Sequence, residues 1–255
     1  MTDILTFALV APLASFGAIA VGERRSGWDR PGRSAVFGLL GACLGIERED
    51  DDAQAALASQ YWLALLCHAP GRLLADYHTA QVPSAQRGRR FATRAQELAA
   101  PELNTILSRR DYRVGAWHLT AVWPRAHAPR WPLADLAEAM RRPVFVPYLG
   151  RKSCPLGLPL APAIAREPDA VTALLARHAA GPEAAFRPSF ADRQDGDLVI
   201  ALDTPAPDSA PGDPGHVAAD DPRRRRIEMR RDQPRSRRRW QFDLREELVL
   251  AAPRP

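Results

Sequence analysis

Apolar residues gather in dense blocks separated by long polar and basic stretches. Ile4–Val10 is almost unbroken in its apolar character, the pattern of a strand buried on both faces of a sheet. Pro31–Gly45, PGRSAVFGLLGACLG, predicts a short helix in which Gly38, Gly41 and Gly45 recur at spacings of three and four and so share one face. Glycine costs about 1 kcal/mol against alanine inside a helix, and close packing is the first reason to find several there. The acidic run Glu47–Asp52 opens a second helix reaching Gln60, because carboxylates suit a helix N-terminus. Tyr61–His68, YWLALLCH, is a second strand, Pro70–Gly71 a turn and Leu73–Ala80 a third strand. Tyr112–Trp123 alternates as a strand returning to the sheet. Leu133–Arg142 is an amphipathic helix with Leu133, Leu136, Ala137 and Met140 on its apolar side. Val144–Leu160 passes from strand residues into a loop, Asp169–Ala179 is a short helix, and Asp197–Leu202 reads as an edge strand.

The stretches between these blocks are polar. Ala11–Arg30 is a loop carrying Glu23, Arg24, Arg25, Trp28, Asp29 and Arg30. Val82–Arg110 holds Arg87, Arg89, Arg90, Arg94, Arg109 and Arg110 with little apolar periodicity, a long basic insertion between two strands. Asp203–Asp221, rich in Pro, Asp, Gly and Ala, reads as a flexible linker. Beyond it, Arg223–Arg231 and Arg235–Arg245 flank Gln233–Pro234 and read equally as a β-hairpin or as a solvated basic tail. Strand, helix, strand, strand, then more strand and helix make the chain α+β, and a ferredoxin-like or RNA-recognition-type sandwich is the simplest architecture. Sheets of that kind commonly bind single-stranded RNA.

Composition adds direction. A chain of 255 residues with 46% hydrophobic content can bury a substantial core. The net charge of +5 suits a polyanionic partner. Lys152 is the one lysine, a bias that a GC-rich genome also produces, so the positions of the arginines carry more information than their number. Cys43, Cys67 and Cys154 are odd in number and far apart, with no CxxC or Cys/His ligand spacing, so no metal site is expected and free thiols in a reducing cytosol are. The apolar N-terminus opens with an acidic residue, lacks a basic leader and is too short to span a bilayer, so the expected location is cytoplasmic with no membrane partner.

No HExxH, GxSxG, Walker A or EF-hand pattern occurs. Tyr77 and His78 could act as acid and base of a metal-independent ribonuclease, or be an ordinary half-buried tyrosine and a surface histidine. His118 beside Trp117 reads as a hydrogen-bonded sheet residue. Cys154 follows two cations that would lower a thiol pKa, yet packing explains it as well. Gly150-Arg151-Lys152-Ser153 offers small size, two cations and a hydroxyl, which suits a phosphodiester turn or a basic surface loop.

GRSAVFGLLGACLGIER, then DYHT, then the basic insertion ending RRDY, then VPYLGRKSCPLGLPL, resemble the CasD family, a subunit family of the type I-E CRISPR surveillance complex Cascade. The ordered match covers residues 4–160 and includes the loop Ala14–Gly17. The resemblance implies a repeat-associated (RAMP) fold: a ferredoxin-like domain over 1–145 with a long basic β-hairpin thumb at 82–110, and a smaller C-terminal β-rich part over 146–255. It implies a subunit that caps the 5′ handle of CRISPR RNA, contacts the backbone subunit and the large subunit, and meets target DNA only through the complex. It further implies no cofactor and no catalysis. A related family in type I-C systems cuts precursor RNA, which keeps an endoribonuclease using Tyr77 and His78 as the alternative. By this resemblance Arg33 and Ser34 stand before the glycine-bearing helix as a phosphate-facing entrance, while Gly38 and Gly41 keep that helix close to the sheet. Tyr148, Gly150, Arg151, Lys152 and Ser153 fall on a YLGR(R/K)S block. Arg24, Arg25, Arg109 and Arg110 complete the expected cations, and Trp28 and Tyr148 are candidate stacking partners for unpaired bases.

Overall fold

The computed structural model describes the chain except residues 19, 21, 86–89, 126, 191–195, 205–212 and 255. The expected basic residues Arg87 and Arg89, and residues 205–212 of the expected linker, therefore lie outside the described residues. The frame begins with β1 (Thr2–Ala14), α1 (Arg33–Leu44), β3 (Tyr61–Ala69), β5 (Leu103–Pro124), α4 (Leu133–Arg141) and β6 (Ala163–Glu167). In the sheet these strands run β6-β1-β5-β3, every neighbour antiparallel. α1 and α4 cover one face, where Phe7, Leu9, Leu63 and Val122 meet Phe37, Leu40, Leu136 and Met140. α5 (Ala170–Ala180) covers the other, where Ile4, Val10, Leu66, Trp117 and Trp123 form a second core. Two-sided burial explains why β1 reads as a nearly continuous apolar run rather than an alternation.

Local signals place the ends of the helices. Gly45, at φ 76°, ends α1 in the left-handed region that glycine adopts without steric cost. α2 (Asp51–Ser59) is capped by Asp50, whose carboxylate accepts from the Ala53 N–H at 2.9 Å. Asp169 caps α5 in the same way, accepting from the Thr172 N–H at 2.8 Å.

Between β3 and β5 stands a long hairpin. β4 (Arg72–Pro83) pairs with the first half of β5 from Arg72↔Val114 to Pro83↔Leu103, and the short α3 (Arg94–Leu98) lies near its tip. The hairpin thus starts ten residues before the expected insertion, since β4 and the third predicted strand are one element. β5 is continuous: residues beyond about Ala116 belong to the core sheet and those before it to the hairpin. Gly71 and Gly115, at φ 78° and 75°, sit at that junction, where a Cβ on Gly71 would come within 2.8 Å of the Val114 carbonyl oxygen.

The C-terminal part adds β7 (Leu198–Asp203), β8 (Arg224–Ser236) and β9 (Gln241–Ala252), continuing the sheet as β3-β7-β9-β8. β7 is consequently an interior strand, not the edge strand its sequence suggests, because both Ala64↔Leu202 and Leu202↔Leu248 are ladder pairs. The two basic segments form a hairpin, but it turns at Arg237–Trp240; Gln233 and Pro234 are paired with Asp243 and Phe242. Val144–Val146 form no strand. The N–H groups of Val144 and Phe145 instead donate to the Cys43 and Ala42 carbonyls, satisfying the end of α1. Of the expected linker, Asp203 is buried and Gly215 lies against Trp123, whereas Ala218–Asp220 are exposed.

Candidate nucleic-acid interface

β2 (Arg24–Arg25) is the smallest strand and the most informative for function. It runs parallel to β5 with Arg24 opposite Arg109 and Arg25 opposite Arg110. Four cations far apart in sequence thereby meet at the base of the β4–β5 hairpin. Arg24 is relieved in part by Asp111, at 3.8 Å. Arg25 lines two concavities. One, of about 1190 Å³, lies over the outer side of α1 between the loop after β1, residues 145–151 and the β8–β9 turn. The other, of about 680 Å³, lies along the hairpin and includes His78, Ser108 and Arg110. The first is larger than the roughly 300–1,000 Å³ of a small-molecule pocket and is open to one side, a form suited to a polymer.

The loop at 148–154 is fixed on this cleft by the backbone. Ser15 N–H donates to the Leu149 carbonyl at 3.0 Å, Leu149 N–H to that of Cys154 at 2.9 Å, and Cys154 N–H to that of Arg151 at 2.8 Å. A Cβ on Gly150 (φ 92°) would lie 1.6 Å from the Ser15 carbonyl oxygen, so glycine is required for the docking itself. Arg151 donates to the Asp111 carbonyl at 3.2 Å, and its guanidinium carbon sits 4.4 Å from the Tyr112 ring centroid. Arg151 thus ties the cleft to the base of the hairpin. Cys154 is fully buried, and burial pushes its thiol up, so packing is its role.

Residues 4–246 match the model of the family described as CRISPR-associated protein (Cas_Cas5). The chain belongs to the Cas5 family. A relative from Escherichia coli (strain K12), "CRISPR system Cascade subunit CasD", is 31% identical over 183 residues, covering 69% of this chain and 77% of the relative. The fold is similar to a chain of a "CRISPR RNA-guided surveillance complex" (TM-score 0.64, 22% identity, 98% of this chain and 90% of that one). It is also similar to a "Crystal structure of Cas protein" (TM-score 0.56, 21% identity, 99% and 98%).

In this Cas5 family member the residues expected to bind RNA divide into groups. Arg25, Ser34, Tyr148, Gly150 and Arg151 line the large cleft, and Arg110 the smaller one. Arg24 and Arg109 are exposed beside them, whereas Lys152 and Ser153 are exposed on the turn but line neither concavity. Arg33 is a correction. It is 2% exposed, pairs with Asp203, and donates to the carbonyls of Ala58 and Tyr61 at 2.7 and 2.8 Å. No phosphate can reach its guanidinium, which is taken up by Asp203 and the two carbonyls, while its backbone N–H donates to Asp232 of β8. Trp28 is a second correction: Arg230 lies 4.2 Å over its ring, and the ring packs on the core. Gly38 and Gly41 do not face the sheet either. A Cβ on Gly38 would meet the Arg237 guanidinium at 2.9 Å, and one on Gly41 would meet Leu57 of α2 at 3.6 Å. His118 is buried without a hydrogen bond to either ring nitrogen, so it is not the satisfied residue its strand suggests; burial pulls its pKa down to about 3.

The buried arginines form one ionic network. Arg30 donates to Glu247 and Glu228, Arg245 to Asp232, Asp203 and Glu247, and Arg230 lies 3.5 Å from Glu247. Burial opposes ionisation of Glu247, but Arg245, Arg30 and Arg230 outweigh it and hold the carboxyl below its ordinary range. The network locks the β8–β9 hairpin against the start of α1. This hairpin contributes Arg231, Arg235, Arg237 and Trp240 to the cleft, none of which sequence pattern alone singles out; the available signal is the aromatic set directly after a run of arginines, RSRRRWQF.

Tyr77 and His78 stand adjacent on β4, so their side chains point to opposite faces of the hairpin. His78 instead faces Asp76, its Nε2 3.3 Å from the carboxylate. Among the described residues no group of three or more His, Cys, Asp or Glu is placed to hold a metal ion, and no helix is long and apolar enough to cross a membrane.

Proposed function

We propose that the chain is the Cascade subunit that caps the 5′ handle of CRISPR RNA, bridging the backbone and large subunits of a type I-E complex without cutting RNA. The observation that carries this reading is the join of two clefts at Arg25, where Arg24, Arg109 and Arg110 also meet. A single-stranded handle following that track would find cations for its phosphates in both concavities and a half-exposed ring, Tyr148, for a base. The order β6-β1-β5-β3 with α1 and α4 as crossovers supports the ferredoxin-like expectation, and the β4–β5 hairpin supports the thumb. The matched Cascade subunit from Escherichia coli supports the assembly.

A non-cutting role is favoured by the placement of Tyr77 and His78 on opposite faces, where they cannot serve one phosphodiester together. Incubation of the purified protein with labelled repeat RNA in EDTA tests both points. Intact RNA, bound with an affinity that falls steeply with salt, is the expected result. Site-specific cleavage that disappears in His78→Ala would replace this reading with the endoribonuclease, for which the Asp76–His78 pair would orient the imidazole.

A further inference from the structure

The β8–β9 turn carries a backbone conformation that its sequence makes costly. Trp240 closes the turn at φ 55°, one of two non-glycine residues with positive φ among those described. That last loop position is ordinarily given to glycine or asparagine, and a large side chain there is an outlier. Such a conformation persists only where the surroundings hold it, and it clusters at ligand sites. The Trp240 ring gains little burial in return, being 62% exposed at the rim of the large cleft. It is nevertheless oriented. Phe242 meets it edge-on, with centroids 5.4 Å apart and planes at 87°, and the Arg48 guanidinium carbon lies 5.1 Å from its centroid.

A second feature lies beside it. Arg237 reaches back from the same turn to the first turns of α1, where it donates to the Ser34 carbonyl and fills the space left by Gly38. No carboxylate pairs with it among the described residues, in contrast to Arg30 in the loop before α1, Arg33 of α1, Arg230 of β8 and Arg245 of β9. Burial, then repulsion from Arg48, pulls its pKa down to about 10. Two arginines outside any ion pair among the described residues, next to an oriented indole, form a place where an anion would be stabilised and a planar group could stack; Glu47, Glu49 and Asp243 line the same cleft without pairing to either.

We infer that the β8–β9 turn is a nucleotide clamp: Trp240 stacks on one unpaired base of the bound RNA while Arg48 and Arg237 hold the adjoining phosphate. This rests on the RNA-capping reading above and assigns the outer wall of the same cleft. The left-handed backbone at Trp240 is then a local cost accepted to present the ring outward.

The test uses the full chain and a fluorescein-labelled single-stranded RNA carrying the repeat-derived 5′ end, read by anisotropy. Trp240→Ala should weaken binding about tenfold or more, the effect expected of one base–aromatic stack, with Trp240→Phe close to wild type. Changing Arg48 and Arg237 together to Gln should lower the salt dependence by about one counterion. Trp240→Gly separates fold from function: removing the costly side chain from a left-handed position should raise the melting temperature while RNA affinity falls. Wild-type binding with unchanged affinity in Trp240→Ala and Trp240→Gly would overturn the clamp and leave the capping reading standing. Unchanged RNA affinity with loss of assembly onto the other subunits would overturn it in favour of a protein contact. Failure of the wild-type chain to bind the RNA at all would remove the capping reading and the clamp with it.

Discussion

Arg33 joins Asp203 at the end of β7 to the Ala58 and Tyr61 carbonyls, and its position decides what a substitution would report. Arg33→Ala leaves Asp203 buried with only Arg245 to balance it. Breaking a buried pair in this way costs about 3–5 kcal/mol. We expect a correspondingly lower urea midpoint in Arg33→Ala and an unchanged one in Lys152→Ala, whose side chain is exposed. His118 gives a second residue-scale prediction. Its folded pKa of about 3 lies below its ordinary value of 6.5, so as pH falls through 6.5 the unfolded chain takes up a proton that the folded chain does not. The stabilising difference is present above pH 6.5 and is lost as pH falls through that window toward 3. His118→Leu, which removes two buried unpaired ring nitrogens, should flatten the change in urea midpoint between pH 7.5 and pH 5; an unaltered pH profile would assign the sensitivity to other groups.

At the scale of elements, the cations of β2 and β5 act as a set because pairing makes them one. Replacing Arg24, Arg25, Arg109 and Arg110 with serine should weaken RNA binding uniformly across sequences, and should reduce the slope of log K against log salt by about 0.7 for each phosphate no longer neutralised. Fluorescence titration between about 50 and 200 mM salt reads that slope; an unchanged slope would place the RNA elsewhere. How far the sequence reveals these elements follows from what stabilises each. α1 is legible because an apolar run and a terminal glycine are local signals, and β3 because its burial is nearly continuous. β2 is not, since two exposed arginines become a strand only by pairing with a distant partner. The full extent of the β4–β5 hairpin is hidden for a related reason. β4 is largely exposed on both faces, so no alternation marks it. The buried arginines are the hardest to read. Arg33 and Arg25 look alike in a chain rich in arginine, and only the placement of Asp203, Glu247 and Asp232 on later strands separates a network member from a ligand-facing cation.

At the scale of the whole molecule, the C-terminal hairpin is both a wall of the cleft and a structural member of the fold. β9 covers β7, and Glu247 and Glu228 receive Arg30, which is 2% exposed. A chain ending at residue 203 would expose the edge of β7 and leave Arg30 with Asp29 alone among these carboxylates. The interactions this hairpin makes are lost together, against a net stability of about 5–15 kcal/mol for an ordinary domain. Loss of the apolar cover over Ile200 and Leu202 adds to that. We therefore expect residues 1–203 to be insoluble or to unfold without cooperativity. Replacing residues 84–102 at the tip of the β4–β5 hairpin with a short turn should be tolerated, because no residue of α3 is buried. Circular dichroism melts of the two variants beside the full chain distinguish these outcomes. A soluble, cooperatively melting 1–203 fragment would mean that the ionic network fastens an accessory hairpin onto an already complete domain. The expected contrast would mean instead that the cleft wall cannot be removed without the fold, so that RNA affinity and stability must be separated by single residues such as Trp240 rather than by truncation.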